Sequence, residues 1–511
     1  MTTTEQAAQM PRTVESCVRL LEQHSLLECA PAANELAPSF VLRGVCCDSR
    51  RAMRDSLFIC KGAHFKADYA REALAAGAAA YLSSERIEGV AAPCILVNDV
   101  RAAMGILADA FFEHPSGDLK ICAITGTKGK TTSAYYLKSI VDEHARSCEA
   151  ARCALLSTIA IDDGIERVPS TLTTPEPIDL QQHLANARKA GASAVVMEAS
   201  SQALKYGRLA CVALETGMFT NLGEDHISPI EHPDFADYMA SKLSLFDRCR
   251  NAVVNADDPH GQAFVDAAHA AGCERVITYS IHDPAADFYA DNIRRVQGGV
   301  SFDAHFDGAC HPLLLNTMGA FNIANALGAM ACAVTIGIGP DDIARGLARA
   351  VVPGRMETFA HPQRDIVGVI DYAHNGSSLE ALLADVRESY PDRRVIAVFG
   401  ATGTKGVERR FGMGEAAGRL ADVVIATEDD PGQERVEDIC DAIASSARAA
   451  GATDVRIVLD REQAVREAIA AAVEPAVIVL AGKGHERTII RKEGRVPYEG
   501  DASLITRLFN E

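Results

Sequence analysis

The chain has 511 residues, enough for roughly three domains of the usual 100–200 residues, each with its own core. Its 50 Lys and Arg stand against 69 Asp and Glu, a formal net charge of −19, which argues against a nucleic-acid backbone or an anionic membrane surface as partner. The 15 cysteines are odd in number, without a Cys-x-x-Cys pair or zinc spacing, and read as reduced core residues of a cytoplasmic protein; the start Met1-Thr-Thr-Thr-Glu-Gln6 lacks signal-peptide character, and no apolar run is long enough for a bilayer.

Residues 1 to about 115 carry short strands, Val41–Cys46, Leu57–Cys60 and Cys94–Val97, and small-residue helices around Arg71–Ala80 and Arg101–Phe112, with His114-Pro-Ser-Gly117 as linker. A second core, 116–353, opens with the apolar run Leu119–Ile124, followed by Thr125-Gly-Thr-Lys-Gly-Lys-Thr-Thr132 and the amphipathic stretch Tyr135–Val141. That order makes a strand, a phosphate loop and a helix. Gly126 and Gly129 let backbone N–H groups approach phosphate oxygens, the helix N-terminus adds positive field, Lys130 reaches the outer phosphates of ATP, and Thr131 can ligate Mg²⁺. Only Thr127 and Lys128 separate the two glycines, shorter than the usual loop, so a Gly-rich turn without function is the alternative for the bare pattern. Beyond it Ala194–Met197 and Glu215–Phe219 read as buried strands, Phe235–Phe246 as a helix and Asn251–Asn255 as a strand. The alternation predicts an α/β domain with a mostly parallel sheet and helices on both faces.

Val352-Pro-Gly-Arg355 marks the next boundary. In 354–511 the strands Val367–Ile370, Val395–Phe399, Val423–Ala426, Val455–Leu459 and Val477–Leu480 alternate with helical patterns. One of these sets Leu379, Leu382, Leu383 and Val386 on one face behind a Ser377/Glu380 capping box. The segment is Rossmann-like by pattern, but no Gly-x-Gly-x-x-Gly follows its first strand, so a dinucleotide is not implied.

Gly126-Thr-Lys-Gly-Lys-Thr-Thr132 resembles the short ATP loop of the Mur ligases and their folylpolyglutamate synthase relatives, which join an acid to an amine through an acyl phosphate. Met197-Glu-Ala-Ser-Ser201, Phe219-Thr-Asn-Leu222 with Asp225-His226, Asn255-Ala-Asp-Asp258, Met318-Gly-Ala-Phe-Asn322, Gly354-Arg-Met-Glu357, Asp371-Tyr-Ala-His374 and Gly482-Lys-Gly-His-Glu486 follow in the family's order. The last string is similar to the MurE branch, whose members add the third residue to the UDP-N-acetylmuramoyl peptide. The resemblance implies a monomeric, ADP-forming ligase that uses ATP and Mg²⁺, with 1–115 taking the UDP substrate, 116–353 ATP, and 354–511 the incoming amino acid.

Glu198 and His226 each follow the C-terminal end of a buried strand, where open α/β sheets assemble their sites. A capped carboxylate and a hydrogen-bonded histidine are the ordinary alternatives; the resemblance implies that both serve Mg²⁺. Lys242 falls seven residues after Phe235 and four after Tyr238, on or beside the apolar stripe, where a lysine usually reaches out to solvent. In the family the matching lysine is carbamylated by CO₂ and holds a second Mg²⁺, chemistry that burial favours by keeping the amine neutral. The likeness further implies that Thr127, Lys128 and Thr132 of the loop, with Asn322 and Asn325, address the nucleotide, Arg355 its phosphates and Asp371 its ribose. Asn322 as a helix cap and Arg355 as a tie for the linker are the alternatives.

Substrate contacts are carried over in the same way. Ser49 and Arg50, in the string Asp48-Ser49-Arg50, match positions against the UDP-sugar. Thr173, Thr174, Ser200 and Arg208 match positions that hold the muramoyl dipeptide and pyrophosphate, whereas Leu172 and Tyr206 depart from the family's Asn and Gln. In relatives that add meso-diaminopimelate, Asp-Asn-Pro-Arg sets an arginine against that amino acid's second carboxylate; here the residues are Asp429-Asp430-Pro431-Gly432. Without the guanidinium a second carboxylate loses a charged hydrogen bond of about 1.5–3 kcal/mol, and Asp430 favours an ammonium instead. Gly482 and Glu486 would hold the amine and Arg409 the α-carboxylate. The expected reaction joins a cationic diamino acid, L-lysine first and L-ornithine second, to UDP-N-acetylmuramoyl-L-alanyl-D-glutamate, with Arg435 keeping meso-diaminopimelate open.

Overall fold

The computed structural model describes residues 7–62, 65–224, 227–228, 231–296, 299–317, 319, 321–403 and 406–511. The chain divides into two compact units: the first takes residues up to Ala290 with 305–309 and 324–346, and the second takes 291–304, 310–323 and 347–511.

Within the first unit, five short strands form one sheet in the order Leu27–Cys29, Cys94–Val97, Ala80–Ser83, Ser56–Ile59, Gly44–Cys46. All pairs but the first are parallel. Period-two alternation sends Leu57, Ile59, Leu82 and Val97 to a core shared with the helices Val14–Gln23 and Val100–Phe111, while Phe58, Tyr81 and Cys94 meet the helix Ala67–Ala75 on the other face. The helix expected at Arg71–Ala80 is therefore displaced: it ends at Ala75, Gly77 turns the chain at φ 106, and Ala80 opens a strand. Val41–Cys46 is split, because Val41–Leu42 pairs with Arg12–Thr13 while Gly44–Cys46 joins the sheet. The linker expected at His114-Pro-Ser-Gly117 is a short helical turn, Pro115–Asp118, with Pro115 and Ser116 buried.

The larger sheet of this unit runs Ala154–Leu156, Val195–Glu198, Ile121–Thr125, Leu214–Phe219, Cys249–Asn255, Arg275–Ser280, all parallel. Ala160–Asp162 and Arg167–Pro169 extend it antiparallel. The central strands Ile121–Thr125 and Val195–Glu198 are buried along their whole length because helices cover both faces, and Lys130–Ser147 and Pro177–Lys189 are two of them. The helix predicted over 235–246 stops at Leu243, and a separate turn follows at Phe246–Arg248.

The second unit holds a six-stranded sheet in the order Glu357–Ala360, Ile366–Asp371, Ala476–Ala481, Arg394–Phe399, Val423–Ala426, Val455–Ile457. Only its first pair is antiparallel. Leu379, Leu382, Leu383 and Val386 are buried on one helix face as predicted. The capping box is not formed: the helix is Gly376–Ser389, and the side chain of Asn375 caps it by accepting the Ser378 N–H. Asparagine at that position satisfies the free N–H directly, so Ser377 is left inside the first turn. The hairpin Thr488–Arg491 with Gly494–Pro497 had no signal in the sequence. Among the described residues no helix is long and apolar enough to cross a membrane, and the cysteines are free thiols.

Candidate active site

The strand Ile121–Thr125 runs into a loop that only glycine can shape. Gly126 and Gly129 take φ of 149 and 86, and a Cβ would strike Thr220 Oγ1 at the first and Asn325 Oδ1 at the second. The chain leaving the neighbouring strand Leu214–Phe219 splints this loop. Thr127 and Lys128 donate their N–H groups to Asn221 O (2.8 Å) and Asn221 Oδ1 (2.9 Å), and Thr220 Oγ1 and Asn221 Nδ2 donate to Lys128 O at 2.7 and 3.0 Å.

Two lysines meet at one carbonyl of the loop. Lys130, the first residue of its helix, donates from Nζ to Gly126 O (2.7 Å) and Thr127 O (3.0 Å), and Lys242 donates to Gly126 O at 2.9 Å. Lys242 is 1% exposed and lies 4.4 Å from the ring centre of Tyr238, whose hydroxyl is 3.0 Å from Thr127 Oγ1. It therefore turns inward to the loop instead of reaching solvent. Lys130 Nζ beside the helix N-terminus concentrates positive charge where phosphate oxygens can meet it. Thr132 is buried in the first turn, and Asn325 accepts from Ser133 Oγ at 3.4 Å. Asn322 lies inside the helix Phe321–Thr335, buried and facing Thr317 Oγ1, so it is not the cap.

Glu198 ends the strand beside the loop strand and is 1% exposed. Its Oε1 accepts the Thr158 N–H (2.8 Å), and its Oε2 accepts the hydroxyls of Thr131 and Thr158, each at 3.0 Å. A buried carboxylate held by neutral donors next to a threonine hydroxyl is a set of hard oxygens that fits Mg²⁺. From it a network runs outward: Thr174 Oγ1 donates to Glu198 O (2.8 Å) and accepts the Ser200 N–H (3.0 Å), and the hydroxyl oxygens of Thr158 and Thr173 lie 3.2 Å apart. Arg208 donates to Thr174 O (2.9 Å) and pairs with Glu176 (2.9 Å), which also pairs with Lys61 at 2.7 Å. Thr131, Thr173, Thr174, Glu198, Ser200 and Arg208, drawn from four stretches of sequence, thus form one connected site. Asp225 and His226 lie outside the described residues. Thr158, Glu176 and Lys61 escaped the sequence reading, since single polar residues in short irregular segments carry no periodic signal.

A cavity of about 410 Å³ opens in the same unit, with Gln9, Arg43, Asp48 and Arg51 on one side and Asp179 and Gln182 on the other. The ion pair of Arg51 with Asp179 at 2.5 Å belongs to this lining. Ser49 and Arg50 stand at its border: Ser49 Oγ donates to Glu72 (2.7 Å), and Arg50, 86% exposed, folds back on Asp48 at 2.6 Å.

In the second unit, Asp429, Asp430 and Glu486 bring carboxylate oxygens within 4.8 Å of one another. Lys483, fully buried, donates to Asp430 Oδ1 (2.9 Å) and Glu486 Oε2 (2.5 Å) and stands 3.6 Å from Asp429 Oδ1. Asp430 also accepts the Ile490 N–H (2.8 Å), and Glu486 accepts the Tyr372 hydroxyl (3.1 Å). Burial pushes the Asp429 carboxyl up to about 6, against the pull of Lys483 and Arg461. Gly482, at φ 99, leaves the space that Asp429 Oδ2 fills, for a Cβ there would collide with it. Asp371 accepts the N–H groups of Met356 (2.9 Å) and Ala373 (2.8 Å); burial raises its pKa and Arg355, lying over the Tyr372 ring, opposes that. Burial, then Arg355 and Lys483, press His485 down to about 4, so it is neutral at neutral pH. Arg409 is half-buried on the helix Val407–Leu420, and Arg435, 73% exposed beside Glu437, lies outside the cluster. Lys483 was missed, although it is the second residue of the Gly482-Lys-Gly-His-Glu486 string.

Residues 124–333 match the Mur ligase middle domain, and residues 354–484 match the Mur ligase glutamate ligase domain. The chain is 34% identical to a UDP-N-acetylmuramyl-tripeptide synthetase of Lactobacillus delbrueckii subsp. bulgaricus over 98% of this chain and 99% of that one. It is 36% identical to a UDP-N-acetylmuramoyl-L-alanyl-D-glutamate–L-lysine ligase of Enterococcus faecalis over 91% of each. Among solved structures it is similar to a UDP-N-acetylmuramoyl-L-alanyl-D-glutamate–2,6-diaminopimelate ligase, with a TM-score of 0.66, 25% identity and coverage of 94% of this chain and 99% of that one. With a phosphate loop, a buried carboxylate beside it and full-length relatives of this kind, the chain belongs to the Mur ligase family of ATP-dependent amide ligases.

Proposed function

We propose that the chain joins L-lysine to the D-glutamyl carboxylate of UDP-N-acetylmuramoyl-L-alanyl-D-glutamate, forming the tripeptide precursor of peptidoglycan with release of ADP and phosphate. The observation that carries the choice of amino acid is the cluster of Asp429, Asp430 and Glu486 around Lys483: three carboxylates against one ammonium leave an excess of negative charge for a second ammonium. Gly432 supplies no guanidinium for a second carboxylate, and Arg435 points to solvent. The Enterococcus relative is named for L-lysine, which accords with this reading.

In the first unit, the loop Gly126–Thr132 with Asn325 takes the ATP phosphates, and Lys130 stabilises the charge that builds on the transferring phosphoryl group. Thr131 and Glu198, with His226 and Lys242 carried over from the family likeness, would hold Mg²⁺, which supplies charge neutralisation at that group. Thr173, Thr174, Ser200 and Arg208 orient the glutamyl end of the acceptor, and the cavity beside Arg43 and Arg51 takes its UDP end, with Ser49 and Arg50 at the border. The carboxylate becomes an acyl phosphate, and the amine of the diamino acid attacks it through a tetrahedral intermediate. Lys242 works as a carbamate, a reading supported by its burial and its place at Gly126 O. The chain acts as a cytoplasmic monomer of three domains, 1–115, 116–353 and 354–511; the two family matches fall inside the second and third.

The test supplies the purified protein with ATP, Mg²⁺, the UDP-muramoyl dipeptide and, separately, L-lysine, L-ornithine or meso-diaminopimelate, and identifies the products by mass. The expected order is L-lysine, then L-ornithine, then meso-diaminopimelate; equal or faster ligation of meso-diaminopimelate overturns the assignment.

A further inference from the structure

The residues proposed to take the diamino acid sit on two loops, Asp429–Asp430 after the strand Val423–Ala426 and Gly482–Glu486 after Ala476–Ala481. These strands are not neighbours, because Arg394–Phe399 runs between them, so no ladder hydrogen bond fixes one loop against the other. A buried side chain does it instead. Arg461, 1% exposed and the first residue of the helix Arg461–Ala471, donates from Nη1 to Glu428 O (3.2 Å) and from Nη2 to Ala481 O (3.0 Å). Glu428 and Ala481 immediately precede Asp429 and Gly482.

The same guanidinium is held from behind. Its Nε and Nη2 each donate at 2.8 Å to the two oxygens of Asp501, itself fully buried at the start of the helix Asp501–Asn510. Tyr498 donates from its hydroxyl to Asp501 Oδ1 (2.6 Å) and from its N–H to Arg487 O (2.9 Å), the residue after Glu486. Three backbone points bracketing the carboxylate cluster are thus tied to one planar fork. We infer that Arg461, Asp501 and Tyr498 are positioning residues for amino-acid recognition: they set the spacing of Asp429 from Glu486 without touching the substrate. Stability alone does not account for the arrangement, since a buried ion pair adds little over apolar packing of the same volume. Geometry does, because a lysine's single point charge cannot span two carbonyls and a carboxylate as the arginine fork does.

The inference rests on the proposed amino-acid site, and the experiment separates the two. Steady-state kinetics of the full chain with ATP, the UDP-muramoyl dipeptide and L-lysine are compared for Arg461→Lys, Asp501→Asn and Tyr498→Phe, with Asp429→Asn and Glu486→Gln as reporters of the site itself. A loop shift of an ångström should raise KM for L-lysine about tenfold in Arg461→Lys and Asp501→Asn, and about threefold in Tyr498→Phe. kcat at saturating L-lysine and KM for the other two substrates should stay within about twofold. Tyr498→Phe removes one hydroxyl only, so it decides the matter alone where the buried-charge variants do not fold. An unchanged KM for L-lysine in Tyr498→Phe, or a rise in all three KM values together with a lowered Tm, overturns the clamp. If the clamp variants fail while Asp429→Asn and Glu486→Gln raise KM for L-lysine, the clamp alone is wrong. If those two leave it unchanged, the amino-acid site is wrong and the clamp falls with it.

Discussion

Lys242 and Asp429 are both charged side chains folded into the interior, and each has a consequence that can be measured. Lys242 contributes to the loop through Gly126 O, so Lys242→Ala should be nearly inactive. If it works as a carbamate, small carboxylic acids that enter the vacated space should restore part of the activity; no recovery at any acid concentration, in a mutant that still binds ATP, would remove the carbamate from the mechanism. Asp429 makes a prediction with a sign in each of two directions. Its folded pKa is raised by burial to about 6, so between roughly pH 4 and pH 6 the folded state keeps a proton that the unfolded chain has released, and stability falls as pH rises through that window. The same ionisation creates the charge that attracts an ammonium. KM for L-lysine should therefore fall as pH rises from about 5 to about 7, where the amino acid's own ε-ammonium does not titrate. Asp429→Asn should flatten this profile, raise KM, and leave the unfolding free energy at pH 7.5 unchanged or higher by at most about 1–3 kcal/mol. A steep KM profile surviving in Asp429→Asn would assign the titration to another group. The helical spacing of Lys242 taken alone pointed to solvent, and the family likeness to a carbamate; what the spacing could not convey is that the loop carbonyl of Gly126, 116 positions away, waits at the end of the side chain.

At the level of elements, legibility followed the range of the forces involved. The loop Gly126–Thr132 was readable because its shape is imposed by the backbone: two glycines at positive φ, a strand before and a helix after. Buried parallel strands were readable because both faces are apolar. Strands of three residues such as Ala154–Leu156, Ala160–Asp162 and Arg167–Pro169 were not, since so short a run has no period, and they exist only through pairing with the main sheet. The cap of the helix Gly376–Ser389 shows the same limit at one turn's scale. Ser377 with Glu380 satisfied the capping-box pattern, yet Asn375 stands two residues earlier, takes φ −145, ψ 168, and accepts the Ser378 N–H at 2.9 Å, with the Ser377 hydroxyl donating to the same oxygen. Asn375→Ala should then cost about 0.5–2 kcal/mol in denaturant unfolding of this unit, and Ser377→Ala less than about 0.5 kcal/mol. The reverse order would restore the box and displace the asparagine.

For the whole molecule, the sequence suggested three segments, and the first of them lies with most of the second in one compact unit. Long-range polar ties account for that: Arg51 with Asp179, Lys61 with Glu176, the Ala7 N–H donating to Asn186 Oδ1, and Arg188 donating to Phe112 O. None has a local signature, because the partners are 76 to 179 residues apart, and a charge on the surface of one segment reads as a solvated face until its partner is known. The net charge of −19 spans the whole chain and acts at longer range than any of these pairs. It repels an anionic UDP-linked acceptor and attracts a cationic diamino acid, whereas Lys130, Arg208 and Arg51 act only over the few ångströms of direct contact. Salt separates the two scales, because the screening length is about 10 Å at 0.1 M and about 3 Å at 1 M, and buried pairs are screened least. Raising salt from about 0.05 M to about 0.5 M should increase KM for L-lysine by about two- to fivefold while KM for the UDP-muramoyl dipeptide stays level or falls. The two substrates are measured in the same assay, so a general effect of salt on the fold would move both KM values upward together. A rise in KM for the UDP-muramoyl dipeptide with Tm unchanged by salt would show that local basic clusters, and not the overall charge, dominate the approach of the acceptor.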